Sequence, residues 1–402
     1  MVILMGFLSI FGLGLVSPTL PLFAGSFHVG YGAVGIFIST FGLTRLLADL
    51  AAGPLVQRFG ERGSSTGGLI LMGIGALVTG TAPIFLVAVV AWGANGAGSA
   101  VLFAAQYSYL LKVVPQERMA RTLSVFYGAF NVGFVAGSIV GGTLSDNLGI
   151  RTPLILYGFV LFAVATAYFR LIRNPPQREA GPTDGESGTG IRSLFKIPGF
   201  ITVNFINLAY LWMVAAVFGT LVPLFAGDGL GMSRSATGLV IGFALGIEFL
   251  CLYPAGAYAD RHGRRPVLVP SLLGLGVTTI VVGWAPTPLV FGALMGLLGV
   301  SSGYAGVPPA AMLSDIVPGE RLSTAVGVFR FSGDLGFFFG PLVAGFGSAA
   351  FGFRGAFALV ALPSLLAFVF ILRTAETLRG RVAPAIPDPG APEPPPGAPP
   401  AH

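Results

Sequence analysis

Five ionisable side chains lie inside stretches that are otherwise apolar: Arg45 and Asp49, Arg330 and Asp334, each pair four residues apart, and Glu248 by itself. A charged side chain at the centre of a bilayer costs about 2.5–3.5 kcal/mol on insertion scales, so such groups must find partners or carry a proton. Residues four apart share one face of a helix. Each Arg–Asp pair can therefore offer a positive and a negative group to a neighbouring helix, which would dock two helices and allow them to part. Glu248 has Ala244, Leu245, Cys251 and Leu252 beside it on its own helix, and none carries charge. An acid in that setting can exchange a proton or balance a cation, or else be hydrogen-bonded to backbone or a tyrosine, kept neutral and purely structural. Other chemistries lack their residues. Neither Lys112 nor Lys196 sits in a GxxxxGK[ST] loop that would cradle a nucleotide. His28, His262 and His402 are far apart in sequence and Cys251 has no second cysteine, so neither a metal cluster, a disulfide nor an enzyme active site is expected, and no cofactor.

The elements that must position these charges follow from composition. The chain is 54% hydrophobic and only 9% charged, against roughly 25% charged in an average soluble domain. A helix needs about 20 residues to cross the hydrocarbon core. Twelve runs of that kind are predicted, near 2–24, 32–52, 66–82, 84–111, 123–144, 153–172, 199–225, 236–256, 266–285, 288–314, 323–347 and 355–372. Barrel strands would alternate polar and apolar residues over about ten positions, and these runs do not. Residues 2–24 lack a basic leading region and are long for a signal sequence, so they are expected to form the first span, the alternative being a cleaved signal peptide ending near Ala24.

Charge sets the expected orientation. Of the 22 Lys and Arg, Arg151, Arg234 and Arg354 fall on one side, Arg45 and Arg330 lie within spans, and the others fall on the opposite side. The positive-inside rule then places both termini in the cytoplasm of a cell-membrane protein. That topology accounts for the net charge of +6, and nucleic acid is not expected as a partner.

The sequence also repeats itself. GPLVQRFGER, residues 53–62, returns 203 positions later as GAYADRHGRR, residues 256–265. The same shift aligns KVVPQERMARTLSVF from Lys112 with DIVPGERLSTAVGVF from Asp315, and the stretch from Asn131 with the one from Asp334. One constant shift across three separated stretches indicates a duplicated unit of six helices. The expected organisation is a first bundle over residues 1–173, a cytoplasmic linker over 174–198, a second bundle over 199–375 and a disordered Pro-rich tail over 376–402.

At the repeated stretch the chain resembles the major facilitator superfamily, and in particular its drug:proton antiporters. That family joins its second and third helices by Gly-x-Leu-x-Asp-Arg-x-Gly-Arg-Lys/Arg. Gly256, Asp260, Arg261, Gly263, Arg264 and Arg265 match in the second half, and Gly53, Leu55, Arg58, Gly60 and Arg62 in the first, where Gln57 replaces the acid. The antiporters carry an arginine four residues before Gly96-x-Gly98, where this chain has Trp92. Their glycine signature in helix five reads here Gly133, Gly137, Ser138, Gly141, Gly142, without its proline. The resemblance implies an all-α membrane protein with twelve transmembrane helices in two pseudo-symmetric six-helix bundles.

It also implies roles for these loops. The motif acid latches one docking of the halves, so Asp260 is expected at the start of the fifth helix, near Arg118–Thr122, and Arg264 near acids. Helices two and eleven lie side by side and antiparallel, which would pair Asp49 with Arg330 and Arg45 with Asp334 as a cytoplasmic gate that replaces the latch Gln57 cannot make. The alternative is that each pair satisfies itself within its own helix. Helices one, four, seven and ten line the cavity, offering Asn95, Gln106, Asn131, Asn204, Asn207, Tyr210 and Tyr304 as polar contacts. Prolines 18, 21, 223, 308 and 309 are expected to break the gating helices. The expected function is proton-coupled export of a lipophilic or cationic small molecule by a monomer surrounded by lipid, with Glu248 as the proton or cation site. Uptake or facilitated diffusion of a neutral or lipid-like solute, or a non-transporting sensor, are the alternatives.

Overall fold

The computed structural model describes residues 2–174 and 190–378, and within them the side chains of residues 116, 117, 119–121, 123, 124, 190 and 323 lie outside the description. Most of the expected linker and all but the first residues of the expected tail therefore also lie outside it. Among the described residues the chain is helical, in twelve spans. The first span is Val2–Val16 continued by Leu20–Gly25, interrupted at Pro18. The second and third form one run, Tyr31–Thr81, broken at Gly60, and the eleventh and twelfth form another, Leu322–Leu372, broken at Gly352. Between them come Phe85–Val113, Gln116–Leu148, Thr152–Leu171, Phe200–Gly229, Arg234–His262, Arg265–Val282 and Pro288–Ile316.

Several spans outrun the hydrocarbon. The second continues past residue 52 to the loop at Gly60, because a helix that has left the lipid can carry Gln57 and Arg58 in water without breaking. Spans one and ten break at prolines, which lack the N–H that would continue the ladder. The seventh does not simply break at Pro223. It widens on both sides of that residue into π-helical turns, Val214–Leu221 and Phe225–Gly229. Such turns hold one more residue per hydrogen bond than an α-helix and recur at functional sites.

Two apolar cores form. One gathers residues of the first six spans, among them Phe23, Phe37, Trp92 and Tyr157, and the other residues of the last six, among them Phe200, Phe218, Phe291 and Phe357. The halves meet where spans two and eleven cross, at Gly35 against Gly345, and where spans five and eight cross, at Gly142 against Gly238. A Cβ at these glycines would run into backbone of the other half, so only hydrogen lets the helices approach so closely. At the face opposite the termini the halves are bonded as well. Tyr31 donates to Asp228 at 3.0 Å, and Asp146 accepts from the backbone N–H of Arg234 and Ser235.

The face carrying the termini is organised by two matching clasps. Gly60 (φ 72°) and Gly263 (φ 107°) take the left-handed region, which a side chain would resist. Over Gly60 lies Asn174, whose Oδ1 accepts from the N–H of Arg62 at 2.8 Å. Over Gly263 lies Glu376, whose carboxylate accepts from the N–H of Arg264 and of Arg265, each at 2.9 Å. Each half thus pins the residue that follows its last helix onto the loop between its second and third. Glu376 is therefore no part of a free tail, and the expected start of that tail at 376 is corrected. Asn174 likewise docks, and Gly190–Leu194 is a short helix with Leu194 fully buried, so the expected linker is not free at either end.

Burial works against the Glu376 charge, but the N–H donors of Leu378, Arg264, Arg265 and Thr377 hold its carboxyl below the usual glutamate range. A group depressed in the folded state adds stability above its unfolded value, about 4.3, and loses it as pH falls through the folded one. Glu376→Gln should lower stability by about 1 kcal/mol at pH 7. In thermal unfolding followed from pH 7 to pH 3, the gap between the variants should close at the acid end.

Candidate functional site

Four of the five intramembrane charges meet across the seam between the halves. Arg45 Nε lies 3.3 Å from Asp334 Oδ1, and Arg330 Nη2 lies 3.4 Å from Asp49 Oδ2. Each pair joins span two to span eleven. The i,i+4 spacing puts both charges of a helix on one face, and the antiparallel crossing brings opposite signs level. The pairing is loose. Arg45 Nε has no hydrogen-bond partner despite its closeness to Asp334, and the side chains of Arg330 and Arg45 are 35% and 28% exposed. Arg330 also stacks its guanidinium over the Phe103 ring, 5.0 Å from the centroid. Neutralisation is the larger effect here, because an unpaired charge at this depth costs more than such long ion pairs return.

Two cavities share Arg45. One, of about 190 Å³, lies in the seam and is walled by Phe41, Trp92 and Phe134 from the first half and by Val214, Phe218 and Phe337 from the second. The π-helical stretch of span seven thus forms one wall. The other, of about 200 Å³, lies inside the first half and includes Ser9, Ser99, Gln106 and Tyr157. Leu13 and Phe41 border both. Arg45 is the one charged residue in either lining.

Of the polar contacts expected from sequence, Gln106 alone lines one of these two cavities. The others line neither cavity, and for all but Tyr304 a donor is bonded elsewhere, while Asn95 Oδ1 and Asn204 Oδ1 are buried without a partner. Asn95 donates to the Met72 carbonyl at 2.9 Å, tying spans three and four. Asn131 and Asn204 donate to the carbonyls of Tyr127 and Phe200 one turn back on their own helices. Asn207 donates to the Phe329 carbonyl at 2.6 Å, joining spans seven and eleven. Tyr210 donates to Glu248, and Tyr304 is half-buried outside both linings. Sequence reasoning missed the aromatic wall. Its one available signal was Trp92, noted only as a departure from the family pattern.

Glu248 is 6% exposed and faces the interior of the second half rather than the seam. Its Oε1 accepts from the Tyr210 hydroxyl at 2.6 Å, and its Oε2 is buried without a hydrogen-bond partner. Span ten comes against it, with Gly303 touching the Glu248 backbone. The duplicated position in the first half is Arg45, so equivalent slots hold opposite charges that face different ways.

Most of the expected latch partner at the start of span five lies outside the described side chains: Met119, Ala120 and Arg121 do, and Arg118 is exposed. The Asp260 side chain is 69% exposed and is bonded to Arg264 one turn on. Arg264 is itself anchored, 3.0 Å from Asp315 at the end of span ten. Burial opposes the Arg264 charge, and the hydrogen bonds to Asp260 and Asp315 outweigh it, holding the guanidinium ionised. Gly256 is half-buried and Arg261 exposed, while Arg265 donates to the Leu372 carbonyl at 2.8 Å.

The first half makes the same tie with its signs reversed. Lys112 and Ser108 donate to Glu61, which is 3% exposed. Glu61 and Lys112 occupy the duplicated positions of Arg264 and Asp315. The reversal explains Gln57. An aspartate there would stand one turn from Glu61, a like-charge pair, whereas Asp260 stands one turn from Arg264. The aligned KVVP and DIVP stretches held this signal. Gly53, Gln57 and Arg58 are exposed, Arg58 lies over the Phe59 ring, and Arg62 lies over Phe169 at 4.0 Å.

Twelve spans in two matched halves, with a cavity in the seam walled by both, define a membrane transporter of the two-bundle kind. The chain belongs to the Major Facilitator Superfamily, whose sequence profile matches residues 2–247 and again 206–398. It is similar to an uncharacterized MFS-type transporter of Methanocaldococcus jannaschii, at 22% identity over 85% of this chain and 88% of the relative. It is also similar to the multidrug resistance protein MdtG of Enterobacter lignolyticus, at 26% identity over 93% of this chain and 90% of that one. Among solved structures the fold is that of a bacterial homolog of the human lysosomal transporter Spinster in an inward-facing and unoccupied conformation. That match has a TM-score of 0.80 at 15% identity and covers 96% and 98% of the two chains. A D-xylose-proton symporter matches with a TM-score of 0.77, at 15% identity over 94% and 98%.

The reversed tie gives a direct test. Lys112→Ala strands a buried carboxylate and should cost about 3 kcal/mol, read as a lowered unfolding midpoint of the purified protein. Glu61→Arg combined with Lys112→Asp copies the second half and should recover most of that loss. Gln57→Asp should destabilise the native chain but not the doubly swapped one.

Proposed function

We propose that the chain exports lipophilic small molecules by alternating access and couples that export to protons. The carrying observation is the seam cavity, whose wall is aromatic and aliphatic, is contributed by both halves, and holds no carboxylate. An apolar pocket with few polar groups binds lipophilic ligands through burial of their surface. The relatives named as multidrug resistance proteins support export of such cargo. Of the two cargoes suggested by sequence, the lipophilic one has this support, and the lining gives none to a cationic preference.

In this reading Glu248 is the proton site, since it is buried, lacks a cationic partner in its hydrogen bonds, and leaves one oxygen free beside Tyr210. The Arg45, Asp49, Arg330 and Asp334 quartet acts as the charged gate of the seam, closing the side of spans two and eleven. The bonds at Asp228 and Asp146 seal the face opposite the termini in the state described. In this reading both termini lie on the cytoplasmic side of the inner membrane, an orientation that the distribution of Lys and Arg supports. The protein works as a monomer, as the seam lies within one chain.

Vesicles with an imposed pH gradient test this reading. A lipophilic dye should accumulate against its gradient in the direction of export. Glu248→Gln should keep expression and lose the pH-driven component, and full retention by that variant would reject the proton role. Equilibration without accumulation would point instead to facilitated diffusion. Cysteines placed at 49 and 330 should crosslink in one conformation and not the other. Crosslinking indifferent to substrate would dismiss the gate.

A further inference from the structure

The two cavities that meet at Arg45 differ in character, and the difference reads as a head and a tail. The seam cavity is apolar apart from Ser17 and Arg45, while the cavity inside the first half carries Ser9, Ser99 and Gln106. Four polar atoms are left over in these walls, three N–H donors and the Tyr157 hydroxyl. Arg45 Nε, Trp92 Nε1 and Gln106 Nε2 are all buried without a hydrogen-bond partner. Trp92 is 2% exposed and Gln106 1%. A guanidinium has five donors and no acceptor, and an indole has one donor. Asp334, which balances the Arg45 charge from 3.3 Å, is 5% exposed and lines neither cavity, so the guanidinium and not the acid forms part of the wall.

Buried donors without partners are costly, and a ligand supplying acceptor oxygens would relieve that cost. A carboxylate does so with a charge that the guanidinium matches in shape, in a setting of low dielectric where the match counts most. An ammonium would instead add a like charge beside Arg45 and satisfy none of the three donors.

We infer that the paired cavities select an amphiphilic acid, its carboxylate held by Arg45 with Gln106 and Trp92, and its hydrocarbon chain in the seam between Phe41, Phe218 and Phe337. This rests on the reading of the seam as a site for lipophilic cargo and narrows it to one class. Arg45 is the specificity-determining residue, and Asp334 is the counter-charge that keeps the guanidinium neutralised when the site is empty.

Calorimetric titration of the protein in nanodiscs with octanoate, octylamine and octanol, corrected with empty nanodiscs, tests the inference. Octanoate should bind at least about tenfold more tightly than octylamine. The neutral double variant Arg45→Gln with Asp334→Asn should lose the preference for octanoate over octylamine. Gln106→Leu leaves the quartet intact, covering the case in which the double variant fails to fold, and should weaken octanoate severalfold relative to octanol. Octylamine binding as tightly as octanoate, or a preference that survives the variants, would overturn the inference while octanol binding upholds the lipophilic site. If none of the three binds, the lipophilic site itself fails and the inference with it.

Discussion

A charge inside a bilayer cannot be left to water, and the arrangement of this transporter follows from where each charge finds its opposite. Arg45 and Asp334, and Arg330 and Asp49, could each have been neutralised within their own helices. They pair across the seam instead, so the electrostatic requirement of each half is met only by the other. The pairs are loose enough that no single one holds the halves together, and close glycine crossings supply the tight packing. Close-packed backbone sets where the halves touch, and the charges neutralise one another across the contact.

The same requirement shaped the loops, with a different outcome. Glu61 and Lys112 repeat the tie of Arg264 and Asp315 with reversed signs, so what is preserved between the halves is a compensated pair rather than a residue. Gln57 then ceases to be a defect needing replacement by the quartet. The neutral side chain is what a loop holding a buried glutamate requires one turn away. The quartet and the loop are separate solutions to one constraint, at two depths.

Much of the architecture was legible in the sequence, because hydrophobic run length and a constant repeat shift are global signals that tolerate local error. The pairing register of the quartet was legible too, since i,i+4 spacing and an antiparallel neighbour leave few ways to match signs. The polar lining was not. Asn131 and Asn204 are polar residues in the right spans, but an amide with no partner bonds back to the carbonyl one turn earlier, and a sequence does not reveal which amides do so. The bond of Asp260 to Arg264 was hidden for a related reason. Arg264 is fixed in place by Asp315, far along the chain. Glu376 was placed in the tail because composition averages over a window, whereas a cap depends on one residue.

The seventh span carries a further consequence in its π-helical stretch, Val214–Leu221. A wide turn stores one surplus residue relative to the α-helix. Loss of a single residue within that stretch would let the helix tighten into ordinary turns while keeping its neighbours in phase. An added residue would have no such slack to draw on, and would rotate everything beyond it by roughly 100°. The cavity wall is therefore asymmetric in its tolerance of length change, forgiving of deletion and intolerant of insertion, and natural variation in this segment should run in that one direction.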